Sequence, residues 1–120
     1  MPRFMYIFRG GGYADSSRFS PTEIQAHLAK WKEWSDGLLR RAPVAQPLAH
    51  PPTGKTVQGK DRVVTDGPYA ESKDLVSGTL VIQADSLEEA AELARGCPIL
   101  ELDGSVEVRP VLEGPAPGGG

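Results

Sequence analysis

An apolar run near the start of the chain is the strongest constraint on what this sequence can fold into. Phe4, Tyr6 and Phe8 alternate with Met5 and Ile7. Alternate side chains of a β-strand point to opposite faces of its sheet, so the run predicts a strand over residues 3–9 that is apolar on both faces. Both faces of the sheet that contains this strand therefore have to be covered.

Residues 20–40 have the pattern of a long amphipathic helix. Ser20 can act as N-cap, Pro21 fits the first helical position, and Glu23 completes a capping box. Apolar side chains and one histidine recur at helical spacing on one side: Ile24, His27, Leu28, Trp31, Trp34 and Leu38. We predict a helix of about five turns that ends near Arg40.

A second, shorter helix is predicted from Ser86, because Glu89 follows it as in another capping box. Gly96 and Pro98 end this helix, since glycine is common just past a helix and proline beyond it. Its buried stripe is expected to contain Leu87, Ala90, Ala91 and Ala94. Side chains this small predict a close approach to the sheet.

The remaining strands are separated by prolines and glycines. Short strands are predicted around residues 44–48, 55–58 and 62–65, and a longer strand over residues 75–84. Gly78 lies inside the longer strand and indicates a bulge or a close approach of the backbone. The last strand is predicted from Val106, Val108 and Val111, with Glu107 and Arg109 on the face opposite Val106 and Val108.

The order strand, helix, short strands, strand, helix, strand predicts a ferredoxin-like α+β sandwich with two helices on one face of an antiparallel sheet. The second apolar face then has no helix to cover it, which predicts a homodimer joined through the sheets. One domain is expected over residues 1–113, and residues 114–120, which are rich in glycine and proline, are expected to be a disordered tail.

Composition and charge exclude several classes of function. The net charge is −3 and the densest basic cluster is only Arg40-Arg41, which disfavours binding to DNA or RNA. The lone Cys97 cannot form an internal disulfide or a cysteine-rich zinc site. The apolar run at the N-terminus is too short for a signal peptide or a membrane span, so we expect a cytoplasmic protein that does not enter the membrane.

The most distinctive local motif is Asp-Gly-Pro-Tyr-Ala-Glu-Ser-Lys at residues 66–73. It holds more polar and backbone-constraining residues than a simple hairpin requires. Extended to residues 64–73, and together with residues 25–31, 94–100 and 104–110, it resembles the YCII-related, or DGPF-domain, family. The resemblance runs from Phe4 to Leu112. It implies the dimeric α/β-barrel superfamily, in which two ferredoxin-like protomers pack sheet to sheet.

The function of this family is mostly unassigned. The resemblance implies, for some relatives, a lyase-type reaction on chlorinated hydroxyquinols at a His–Asp pair. For others it implies an accessory role linked to extracytoplasmic-function sigma factors. His27 matches the helix histidine of the family, whereas the position of the aspartate, before a proline at the end of the second helix, is Cys97 in this chain.

His27 and Asp66 are the predicted catalytic residues. An imidazole at the boundary of an apolar helix face can act as a general acid or base near neutral pH. Asp66 could orient it in place of the aspartate that Cys97 replaces. Each residue also has a plainer interpretation. His27 would be a half-buried helix histidine, and Asp66 would build the turn that precedes Gly67 and Pro68.

Six further residues are candidates for contact with a ligand: Tyr6, Trp31, Tyr69, Glu71, Lys73 and Arg109. The aromatic ones would line a cleft, or else belong to the core or the dimer interface. The charged ones would bind an anionic or phenolic group, or else pair with a neighbour in solvent. No metal or cofactor is predicted, because only two histidines are present, far apart, and no phosphate-binding glycine loop occurs.

Three functions stay open at this point. The first is a cofactor-free acid/base enzyme that acts on a small polar or phenolic molecule in a cleft between the first helix, the Asp-Gly-Pro loop and the sheet. The second is a non-catalytic ligand-binding or accessory module. The third is a dimeric structural domain without a pocket.

Overall fold

The computed structural model describes residues 2–10, 19–41, 48–49, 54–67 and 75–112. The predicted disordered tail and the first part of the predicted strand 44–48 lie outside these residues. The elements, in chain order, are β1 Arg3–Arg9, α1 Pro21–Arg41, β2 Leu48–Ala49, β3 Lys55–Gln58, β4 Val63–Asp66, β5 Val76–Gln83, α2 Leu87–Ala94, a 3₁₀ helix Pro98–Leu102, and β6 Ser105–Pro110.

The main sheet has four antiparallel strands in the order β2-β5-β1-β6. β1 and β5 are central, and the last strand of the chain lies beside the first. Strands β3 and β4 form a separate antiparallel pair that the chain inserts between β2 and β5. This arrangement confirms the predicted ferredoxin-like α+β architecture, with the β3–β4 hairpin as an addition to it.

A bulge interrupts the pairing of β1 with β5. Phe8 pairs with Gly78 but Arg9 pairs with Val76, so the register skips Ser77. The Ser77 hydroxyl donates a hydrogen bond to the Phe8 carbonyl oxygen at 3.3 Å. The bulge therefore lies at Ser77, one residue from the predicted Gly78, where β1 ends.

The hydrophobic core lies between the sheet and the two helices. From the sheet it receives Phe4, Tyr6, Phe8, Leu80 and Ile82, and from the helices Leu38, Ala90 and Ala94. Both helices thus pack on the face of β1 that carries the three aromatic residues. The opposite face, which we call the open face, carries Met5 and Ile7 of β1, paired across strands with Val81 and Thr79 of β5.

Both helices begin as predicted. The Ser20 hydroxyl accepts from the Glu23 amide and the Glu23 carboxylate accepts from the Ser20 amide, each at 3.1 Å, which completes the capping box of α1. The Ser86 hydroxyl accepts from the Glu89 amide at 3.1 Å and caps α2. α1 ends at Arg41, within a residue of the predicted end.

Three residues assigned to buried helix faces are exposed instead. Leu28 is 53% exposed, and Leu87 and Ala91 of α2 also face solvent. α2 buries Ala90 and Ala94, with Leu93 packed beside them. The prediction was wrong at these positions because helical spacing defines a broad sector, and only the neighbouring elements decide which part of it is covered.

Candidate functional site

His27 and Trp31 lie one turn apart on α1 and form a hydrogen bond. The indole Nε1–H of Trp31 donates to Nε2 of His27 at 3.1 Å. An indole nitrogen can only donate, so Nε2 must accept with its lone pair and the imidazole carries its proton on Nδ1. His27 is only 9% exposed. The result is a buried, neutral histidine in one tautomer.

Two of the charged residues that act on His27 are Lys30 and Glu101. Burial lowers the pKa of His27 below its ordinary value of 6.5, Glu101 opposes that shift, and Lys30 adds to it. Lys30 Nζ and Glu101 Oε2 are 3.1 Å apart, and this ion pair joins α1 to the 3₁₀ helix. The carboxylate that acts on the imidazole therefore belongs to the 3₁₀ helix. Residues 98–102 gave no sequence signal for that role, because no periodicity marks so short a helix.

Trp31 is held by aromatic neighbours from the sheet and its own helix. Its ring packs edge to face on Phe8, with ring centroids 5.2 Å apart, and on Trp34, at 5.8 Å. Trp34 in turn stacks on Tyr6 at 6.2 Å and donates a hydrogen bond to the Leu93 carbonyl oxygen at 3.2 Å. These contacts fix the direction of the Trp31 N–H.

Tyr6 belongs to this aromatic packing but has no exposed surface. Its hydroxyl donates to the carbonyl oxygen of Ala90 in α2. Burial, with the nearby Cys97 and Glu89, raises the pKa of the phenol far above its ordinary range. The structure therefore places Tyr6 between the sheet and α2, where it supports Trp34, and not at a solvent-accessible position beside His27.

Asp66 ends β4 and is engaged by Lys55 of the paired strand β3. The Asp66 side chain is 94% exposed. The Gly67 amide donates to the Gly54 carbonyl oxygen at 2.7 Å, and the Thr56 hydroxyl donates to the Gly67 carbonyl oxygen at 3.0 Å. Gly67 has a φ of +78°, a value that favours glycine. In this structure Asp66 thus supports the hairpin, and its ion-pair partner is Lys55, not His27.

Arg109 lies on the open face of the sheet, across the sheet from α1. It pairs with Glu107 at 3.1 Å, and Glu107 also pairs with Arg9 of the neighbouring strand at 3.1 Å. Hydrogen bonds from Arg109 and then Arg9 lower the pKa of the Glu107 carboxyl. The structure therefore brings Arg109 together with other charged residues, but not with His27. The three remaining candidates, Tyr69, Glu71 and Lys73, lie outside the described residues.

Comparison with known sequences identifies the family. A sequence model of the YCII-related domain matches residues 20–114, most of the chain. The chain belongs to the YCII-related family. No curated protein matches it.

One solved structure similar to this YCII-related chain is the 5-chloro-2-hydroxyhydroquinone dehydrochlorinase from Burkholderia phenoliruptrix AC1100, in complex with 2,5-dihydroxybenzoquinone. The two chains are 18% identical, the similarity covers 95% of this chain and 96% of the other, and the TM-score is 0.46. A likeness of this degree carries no conclusion about the ligand of this chain.

Cys97 is an inert position in this YCII-related protein. The thiol is buried, and burial raises its pKa to about 12. A thiol in this state is not a nucleophile near neutral pH.

Among the residues that the structure describes, no group of three or more histidine, cysteine or acidic side chains is placed to hold a metal ion. None of the described helices is both long and apolar enough to cross a membrane.

Proposed function

We propose that this YCII-related protein binds a small polar or phenolic molecule beside His27. The cleft for it would lie between α1, the segment that follows Asp66, and the end of the sheet. The observation that carries the proposal is the His27–Trp31 hydrogen bond, because it presents a buried imidazole in one defined protonation state. A small number of precisely placed polar groups among apolar side chains is typical of ligand sites.

The position of the pair within the fold supports this cleft. Trp31 packs on Phe8 near the end of β1. Gly10, which lies two residues after Phe8, donates its amide hydrogen to the Leu75 carbonyl oxygen at 2.9 Å. At Leu75 the chain enters β5 from the segment that contains Glu71 and Lys73. The chain therefore enters β5 beside the Gly10 end of β1, and this supports a cleft there that the distinctive motif would help to line. Contacts of a ligand with Tyr69, Glu71 and Lys73 stay predictions.

Binding is the function common to the enzymatic and accessory hypotheses, and the geometry favours it over catalysis in the resting state. A general base needs a free lone pair, and Nε2 of His27 already accepts from Trp31. Acid/base conversion of the ligand would require the indole to release Nε2. Asp66 would have to leave Lys55 in order to assist His27.

We further propose that the protein acts as a homodimer through its open face. Met5, Ile7 and Val81 are half-buried there, and both helices pack on the opposite face. Leu48 of β2 lies on the same face opposite Thr79 and is 61% exposed. An apolar surface on a central part of the sheet is typical of an interface between copies of a chain.

Binding of hydroxyquinol, followed by calorimetry, tests the proposal. We expect the wild type to bind and His27→Ala to bind at least about ten times more weakly, which corresponds to about 1.4 kcal/mol. His50→Ala is the matched control, because it removes the other histidine of the chain. His27→Gln repeats the test if the alanine variant unfolds. Equal affinity of the His27 variants and the wild type would contradict the proposal, and chromatography of the bound mixture separates conversion from binding.

A further inference from the structure

We propose that Trp31 is a positioning residue that sets the protonation state of His27. Its indole N–H occupies the Nε2 lone pair, so the imidazole can accept a second proton there only when this hydrogen bond breaks. Trp31 would thus regulate the site and would not be one of its ligand contacts. The functional meaning of this inference rests on the proposed function, whereas its chemistry can be tested on the protein without a ligand.

The first step of the argument is that the donor has a fixed direction. Edge-to-face contacts with Phe8 at 5.2 Å and with Trp34 at 5.8 Å hold the Trp31 ring from two sides. Residues four apart on a helix face each other, so the indole reaches His27 without a change in the backbone. The position of the two residues on α1 and the packing around Trp31 therefore determine the 3.1 Å hydrogen bond between Trp31 and His27.

The second step concerns the charged neighbours of the imidazole. Lys30 approaches from α1 and Glu101 from the 3₁₀ helix, and they pair with each other at 3.1 Å. Their influences on His27 have opposite sign. A hydrogen bond donated to Nε2, in contrast, is available to the neutral imidazole alone and disfavours the charged form. Removing the indole N–H should therefore make His27 easier to protonate.

The third step links this chemistry to the ligand. A hydroxyl group of a ligand can donate to Nε2 only by displacing the indole of Trp31. Acidification has a similar requirement, since a proton on Nε2 turns that atom from an acceptor into a donor. The wild type should consequently keep His27 neutral over a wider pH range than a variant without the indole N–H.

Nitrogen NMR of the histidine side chains, without ligand, tests the inference. Trp31→Phe keeps an aromatic ring but removes the N–H. We expect His27 of this variant to show a mixture of the two tautomers and to titrate at a higher pH, closer to 6.5. Trp34→Phe is the matched control, because it makes the same change in an indole that donates to Leu93 instead. It should leave the tautomer of His27 as in the wild type.

A second measurement needs no variant and remains decisive if Trp31→Phe fails to fold. The chain has two tryptophans. Of their indole N–H signals, the one from Trp31 should shift with pH at the midpoint of the His27 titration, and the one from Trp34 should not. An unprotonated Nδ1, or a Trp31 signal that ignores this titration, would overturn the inference. The ligand-binding proposal is tested separately, by the affinities of the wild type and the His27 variants for hydroxyquinol, so failure of one proposal can be told from failure of the other.

Discussion

Gly104 connects the 3₁₀ helix to β6 in a space that admits no side chain. A Cβ there would overlap Cγ1 of Ile99 and lie 2.8 and 2.9 Å from the backbone carbonyl oxygens of Ile99 and Arg9. At Gly96 a Cβ would meet the Trp34 side chain, at 3.2 and 3.3 Å, and the Leu93 carbonyl oxygen at an ordinary contact distance of 3.9 Å. We expect Gly104→Ala to lower the free energy of unfolding by about 3 kcal/mol and Gly96→Ala by about 1 kcal/mol. Urea denaturation measures the free energy of unfolding of both variants. A larger loss for Gly96→Ala than for Gly104→Ala would contradict this packing.

His27 should also give the stability a specific pH dependence. Its pKa is lowered in the folded protein from an ordinary 6.5, so the unfolded chain binds more protons between the two values. The contribution of His27 to the free energy of unfolding is therefore complete above pH 6.5 and is lost as the pH falls through the lowered pKa. Urea denaturation between pH 8 and 5 should show a larger loss for the wild type than for His27→Gln. The same loss of stability with falling pH in the wild type and in His27→Gln would contradict a lowered pKa of His27.

The same residues show what a sequence reveals about single positions. His27 could be singled out because it interrupts an apolar helix face. Its hydrogen bond to Trp31 was also within reach, since the two are four apart on one helix. The influence of Glu101 on His27 could not be predicted, because Glu101 is 71 positions away in sequence from its ion-pair partner Lys30. Only the packing of α1 on the 3₁₀ helix brings the two together.

Among the elements, the β3–β4 hairpin tests the predicted role of Asp66. Asp66→Ala and Lys55→Ala both remove one solvent-exposed ion pair, so each should change the free energy of unfolding by no more than about 0.5 kcal/mol. If Asp66 also contacts the ligand, only Asp66→Ala should weaken the binding of hydroxyquinol. Calorimetry with both variants distinguishes the two roles, and equal affinities would assign Asp66 to the hairpin alone.

Helices and strands were predictable to the extent that local signals define them. Capping boxes set the starts of α1 and α2, and alternation set β1 and β6. The side of α2 that faces the core was not predictable from its eight residues, since Leu87 and Ala90 fit the same stripe by spacing. The hairpin could be predicted as two short strands, but its separation from the main sheet depends on which edges the other strands leave available.

For the whole molecule, the proposed homodimer through the open face makes a prediction about the state of assembly. Its apolar side chains follow from the two-faced pattern of β1, and the fold leaves Ile7 and Val81 half-buried with both helices on the other side. A lysine at Ile7 or Val81 would put an additional charge into the proposed interface. Burying the ammonium group between two copies is costly even at Ile7, which lies opposite Glu107 of β6. We expect the wild type to have about twice the chain mass of 12.8 kDa in light scattering. The double variant Ile7→Lys/Val81→Lys should have the mass of one chain and keep its helical circular dichroism.

Leu87→Lys provides the matched control, since it adds a lysine at an exposed leucine of α2 and should remain dimeric. A wild type with the mass of a single folded chain would exclude the interface, and a dimeric double variant would assign dimerisation to another surface.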